Sequence, residues 1–170
     1  MATQTEYWLR GPIEGVPALL QPVAHALLQA RDEVEQAIND LPEAMTWERP
    51  SGVASVGFHL QHLAGVLDRL FTYAKGQQLN NQQLEYLSAE GKENKELQLQ
   101  SLFDHFGQQV DKSIGELKTF DETSLTDVRG VGRKQVPSTV IGLLFHSAEH
   151  TMRHTGQLLV TVRMLNPQIK

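Results

Sequence analysis

Residues 138–165 read STVIGLLFHSAEHTMRHTGQLLVTVRML, and this stretch decides the fold. No proline interrupts it. Its apolar residues recur at three- and four-residue steps, the period of an amphipathic helix. Ser138 is the expected N-cap, and Asn166-Pro167 the expected stop. At about 100° per residue, Leu143, Ser147, His150, His154, Leu158 and Val162 fall within roughly 120° of one another. His150 and His154 therefore point inward among leucines, and His146 is displaced toward the edge. Inward imidazoles need partners, because buried polar groups are costly without hydrogen bonds. A His pair at i,i+4 is also the spacing by which one helix offers two nitrogens to one metal ion.

Three more long helical patterns precede this one. The first runs from about Pro17 to Asn39, with Leu20, Val23, Leu27, Val34 and Ile38 in step, and Asp40-Leu41-Pro42 stops it. The second runs from about Ala54 to Lys75, with Ser51 or Ser55 as N-cap and Gly76 as its end. The third runs from about Glu96 to Lys118 on Leu99, Leu102, Phe103, Phe106, Val110, Ile114 and Leu117. Residues 77–95 are polar and suggest a solvated connection with a short helix at 81–90. Residues 119–137 break the helical period, and their valines around Gly130 and Gly132 suggest extended chain or a small hairpin. Residues 1–15 read as an irregular arm pinned by Tyr7 and Trp8, and Trp47 as a plug in the core. Four long amphipathic helices describe an all-α four-helix bundle, with 1–170 as a single domain.

Composition narrows the function. The chain has 170 residues, a formal net charge of −5 and no cysteine. A Cys nucleophile, a Cys-ligated metal and a disulfide scaffold are excluded. The acidic balance argues against a nucleic-acid partner. The first residues lack a signal-peptide pattern, and no apolar run approaches the roughly 20 residues of a membrane span, so a cytoplasmic protein without a membrane partner is expected. Seven histidines stand out.

The second helix supplies two of them. His59 lies nearer the centre of its apolar stripe, and His62 lies on the flank, where a side chain can reach a neighbouring helix. Spacing alone slightly favours His59 as a third ligand. His25 and His105 are isolated and carry no functional claim. Familiar catalytic patterns are missing. The residues between His150 and His154 include no Glu, so the zincin base is absent. No Glu lies three before His62 or His154, which excludes the di-iron bundle pattern. No nucleophile elbow supports a Ser-His-Asp system, and Gly130-Val131-Gly132 is no nucleotide loop.

The segment Ser55-Val56-Gly57-Phe58-His59-Leu60-Gln61-His62-Leu63-Ala64-Gly65 is similar to the second-helix motif of the DinB-like proteins. The segment from His146 to Gln157 resembles their last-helix motif, with Thr155 where an Arg is frequent. The resemblance is specific over these two segments only. It implies a four-helix bundle of up-down-down-up topology. It also implies one divalent metal, zinc or nickel first among the candidates, held by His62, His150 and His154. On that reading His62, not His59, is the second-helix ligand. His59, His146, Gln157 and Tyr73 then become neighbours or lining of the site. Family members are read as metal-dependent hydrolases or as transferases that use a low-molecular-weight thiol. The resemblance therefore implies a small-molecule substrate and a possible homodimer. A non-catalytic metal-binding or stress-response bundle is the alternative.

Overall fold

The computed structural model describes residues 5–166, so residues 1–4 of the arm and Pro167 lie outside it. The chain is mostly helical. Helices α1 (Gln21–Ile38), α2 (Val56–Ala74), α3 (Asn81–Ala89) and α4 (Leu99–Leu117) come first. An antiparallel hairpin follows, β1 (Val128–Val131) with β2 (Val136–Thr139), and then α5 (Val140–Leu165). Helices α4 and α5 each pack against both α1 and α2. Among the described residues, no helix is long and apolar enough to cross a membrane.

The core lies where the apolar stripes of the long helices meet. Leu27 and Val34 of α1, Leu60, Leu63 and Leu67 of α2, Phe106 of α4, and Leu144 and Leu158 of α5 are fully enclosed. Their three- and four-residue spacing puts them on single helix faces, as close packing of helices requires. Helix α2 is buried along most of its length, because α3, α4 and α5 all cover it. That placement carries any polar side chain of α2 into the interior.

Local chemistry sets the helix ends. The Ser55 hydroxyl accepts from Phe58 N–H at 3.1 Å and caps α2. Ser51, the other candidate, instead sits in a turn with φ of 52°. At the far end Gly76 takes φ of +73°, and Gly76 N–H and Gln77 N–H bond the carbonyls of Tyr73 and Thr72. This is a Schellman stop, which favours glycine at that position. Helix α3 opens with a reciprocal capping box between Asn80 and Gln83.

The structure corrects two expectations near the ends of elements. Ser138 does not cap α5. It pairs with Arg129 inside the hairpin, and the Thr139 hydroxyl caps the helix by accepting from Gly142 N–H at 3.1 Å. Trp8 does not pin the arm. It is 63 % exposed, with its indole N–H bonded to nearby Glu6, while Tyr7 packs against the core. Trp47 also packs against the core, with its ring over Gly57 of α2.

Candidate metal centre

The histidines meet along the seam between α2 and α5. His59 and His62 are three residues apart on α2, so they share a side of the helix. His146, His150 and His154 come at steps of four on α5. Thr151 and Thr155 occupy the fully buried side of α5, because that side also faces α1. His150 and His154 are half-buried beside them, toward α2. The helical wheel put these two nearer the centre of the apolar stripe; they lie on its flank, where a seam can collect them.

The contacts are close. His62 Nε2 lies 2.8 Å from His150 Nε2. The His62 ring centroid is 4.4 Å from that of His154, and His150 is 4.6 Å from His154. One nitrogen from each of His62, His150 and His154 lies within 4.8 Å of the others. His59 is deeper, at 2 % exposure, and its Nδ1 sits 3.1 Å from His154 Nδ1. That leaves Nε2 as the remaining ligand atom of His154. The Phe58 ring stacks on His62 with 11° between planes and closes one wall.

Burial keeps His59, His150 and His154 neutral. Burial, and after it the neighbouring His62, pushes His59 down to about 4. Burial also pushes His150 and His154 down to about 4, helped by His62 and other nearby positive groups. At pH 7 these rings are uncharged, as a metal ligand must be. His150 Nδ1 is buried with no hydrogen-bond partner. A converging, all-nitrogen donor set fits a divalent ion of the zinc, nickel, copper or iron type.

The structure distributes the remaining candidates unevenly. His146 lies beside His150 with ring centroids 5.1 Å apart and the planes tilted by 56°, but its side chain is half exposed and its Nδ1 faces Glu149 at 3.4 Å. His146, Glu149 and His150 form a second, more open ligand group that shares His150. Gln157 lines an apolar-walled cavity of about 570 Å³ together with His59, Arg153 and Val160. Tyr73 is not brought to the cluster. It is buried in the core eleven residues after His62, a rise of about 16 Å along α2.

One residue of the site escaped sequence reasoning. The Glu90 carboxylate, at the end of α3, accepts from His62 Nδ1–H at 2.8 Å through Oε2 and pairs with Arg69 through Oε1. It lies in the polar stretch 77–95, where no periodicity distinguishes it from its neighbours. Behind Arg69, between α2, α3 and α4, is a polar cavity of about 470 Å³. Two of its cationic groups are already matched, Lys112 by Asp68 and Arg69 by Glu90.

A family model described as the DinB superfamily matches residues 26–158. The chain belongs to the DinB superfamily. Solved structures agree on the fold of this DinB-superfamily chain. A conserved protein from Enterococcus faecalis superposes with a TM-score of 0.71 and 19 % identity, covering 88 % of this chain and 98 % of its own. A protein from Streptococcus pneumoniae gives 0.61 and 14 %, covering 85 % and 88 %. No functionally curated protein shows significant similarity.

Proposed function

We propose that this DinB-superfamily chain binds one divalent metal ion through His62, His150 and His154 and is a small metalloenzyme acting on a small molecule. The convergence of these three nitrogens within 4.8 Å, on two different helices, carries the reading. His62 is preferred to His59 because a His62 nitrogen lies within 4.8 Å of ligand atoms of both His150 and His154, whereas His59 joins no such group among the described residues. Zinc or nickel suits the donor set.

Three protein ligands leave coordination positions open, which is the pattern of catalytic rather than structural sites. A bound ion would supply Lewis acidity that activates a small nucleophile near neutral pH. The chain's own residues then hold and exclude. Phe58 shields one side of the cluster, and the cavity beside His59 gives a small substrate an apolar wall with Arg153 and Gln157 at its rim. The nearby carboxylates are engaged: Glu90 by His62 and Arg69, Glu149 by Arg153 and His146. No free carboxylate base adjoins the cluster among the described residues. This supports thiol-dependent transfer over hydrolysis, because a thiol activated at a metal needs no added base. The chain has no cysteine, so the thiol comes from a cosubstrate.

The same reading takes residues 1–170 as one domain and the long helices as an up-down-down-up four-helix bundle. Arg31 pairs with Asp111, and Leu19 N–H bonds Glu122, which supports α1 antiparallel to α4. Asp68 pairs with Lys112 and Lys75 with Glu116, which supports α2 parallel to α4. His62 meets His150, and Thr161 reaches the Ala54 carbonyl, which supports α5 antiparallel to α2. A cytoplasmic homodimer belongs to the reading too. Exposed Phe145, Val160 and Met164 on α5 offer apolar surface to a second copy.

Titration of the cobalt-loaded protein with 2-mercaptoethanol tests the thiol reading. Entry of the thiol at an open position should shift the visible absorption bands. A spectrum unmoved by excess thiol would leave a closed, non-catalytic metal site as the better account.

A further inference from the structure

Helix α3 has no buried residue, so apolar packing does not explain its position. Polar contacts hold it. Gln83 bonds Asp68 at 2.7 Å and Thr72 at 2.8 Å, the Tyr86 hydroxyl donates to the Gln61 carbonyl at 3.1 Å, and Gly91 N–H donates to Gln61 Oε1 at 2.9 Å. All these partners lie on α2, over the two turns that carry His62 and the two that follow. The helix ends on Glu90, whose side chain is only 7 % exposed.

The α2 surface beneath Glu90 is shaped for its carboxylate. Gly65 lies there, and a Cβ at that position would meet Glu90 Oε1 and approach Arg69 Nη1 to 2.6 Å and Tyr86 to 2.9 Å. Only a residue without a side chain lets the Glu90–Arg69 pair close over the helix. At the next residue, Gly91 takes φ of +77° and turns the chain over Phe58, the ring that stacks on His62. Thus one carboxylate is buried, given a cationic partner on one oxygen, and aimed at His62 Nδ1 with the other.

We propose that Glu90 is a positioning residue for the metal, acting through His62, and that α3 serves to deliver it. The inference rests on the three-histidine reading of the site. The carboxylate holds the proton on His62 Nδ1, so the lone pair stays on Nε2, the nitrogen that faces His150. It also fixes the ring's rotation. Outer carboxylates of this kind typically contribute about 10- to 100-fold to metal affinity. Arg69 holds the carboxylate in place and does not touch the imidazole among the contacts of His62.

Competition between the protein and a zinc chelator, for the wild type, Glu90→Gln and Arg69→Gln, tests this. Glu90→Gln is isosteric; it removes the charge and turns one of the two accepting oxygens, now facing His62 and Arg69, into a donor. It should weaken zinc binding about 10- to 100-fold and shift the cobalt absorption spectrum. Both variants lower the melting temperature of the metal-free protein, because each leaves a buried charge unpaired, so zinc affinity is the readout that decides. Arg69→Gln should weaken zinc less, because the Glu90–His62 bond survives it. If Glu90 only latches α3 to α2, Glu90→Gln binds zinc within about twofold of the wild type. That outcome overturns the proposal and spares the three-histidine site. A wild-type protein that binds no zinc or cobalt overturns the site itself, and the role of Glu90 with it.

Discussion

At the scale of single residues, Gly57 shows how little slack surrounds the site. Gly57 lies one residue before Phe58 on α2, and a Cβ there would come 2.8 Å from the Trp47 ring. Gly57→Ala should therefore cost about 1–3 kcal/mol as overpacking. Urea denaturation would read that loss, and a smaller residue at Trp47 should relieve it. The histidines give a second prediction. His59, His150 and His154 are held near 4 in the fold, mainly by burial, and return to about 6.5 on unfolding. As pH falls below 6.5 the unfolded chain takes up protons that the folded chain refuses. Their contribution to stability is then fully present above pH 6.5 and is lost as pH falls toward 4. The urea midpoint of metal-free protein should be lower at pH 5 than at pH 7.5, and His59→Asn should flatten the difference. A midpoint that does not fall at pH 5 would show that the rings are protonated in place. His59 was already legible as the deeper of the α2 pair. Its choice against His62 was not, because a stripe's centre says where the core is and not where a partner helix puts its nitrogens. The family motif supplied His62, and the contact with His150 supports it.

At the scale of elements, periodicity located the four long helices, since each buries one face and repeats its apolar residues accordingly. Ends were less legible where two hydroxyls compete. Ser138 and Thr139 are adjacent and both can cap. Both stand in β2, but α5 begins at Val140, so Thr139 is the residue at its mouth and its hydroxyl takes the Gly142 N–H. Thr139→Ala should thus destabilise the protein by about 1 kcal/mol, and Ser138→Ala by much less, as thermal melts of the two variants would show. An equal loss from both would contradict the assigned cap. Helix α3 illustrates the opposite limit. Its existence could be read from residues 81–90, but its docking on α2 comes from scattered polar contacts of Gln83, Tyr86 and Gly91. Long-range polar pairing leaves no period in a sequence, so Glu90 could not be singled out beforehand.

At the scale of the whole molecule, the long helices bring together residues as distant in sequence as His62 and His150, and the polar histidine seam opens beside an otherwise apolar core. That seam is a cost to the metal-free protein, with His150 Nδ1 buried and unpaired. Metal binding to the folded state alone should offset it by mass action: free zinc at 100 times its Kd adds about 2.7 kcal/mol, visible as a rise in melting temperature. The most direct measurement is metal stoichiometry by elemental analysis, on untagged protein equilibrated with zinc and freed of excess. We expect one zinc per chain in the wild type, and its loss in the His150→Ala and His154→Ala variants while both remain folded. A wild type without stoichiometric zinc, or variants that keep it, would contradict the three-histidine centre.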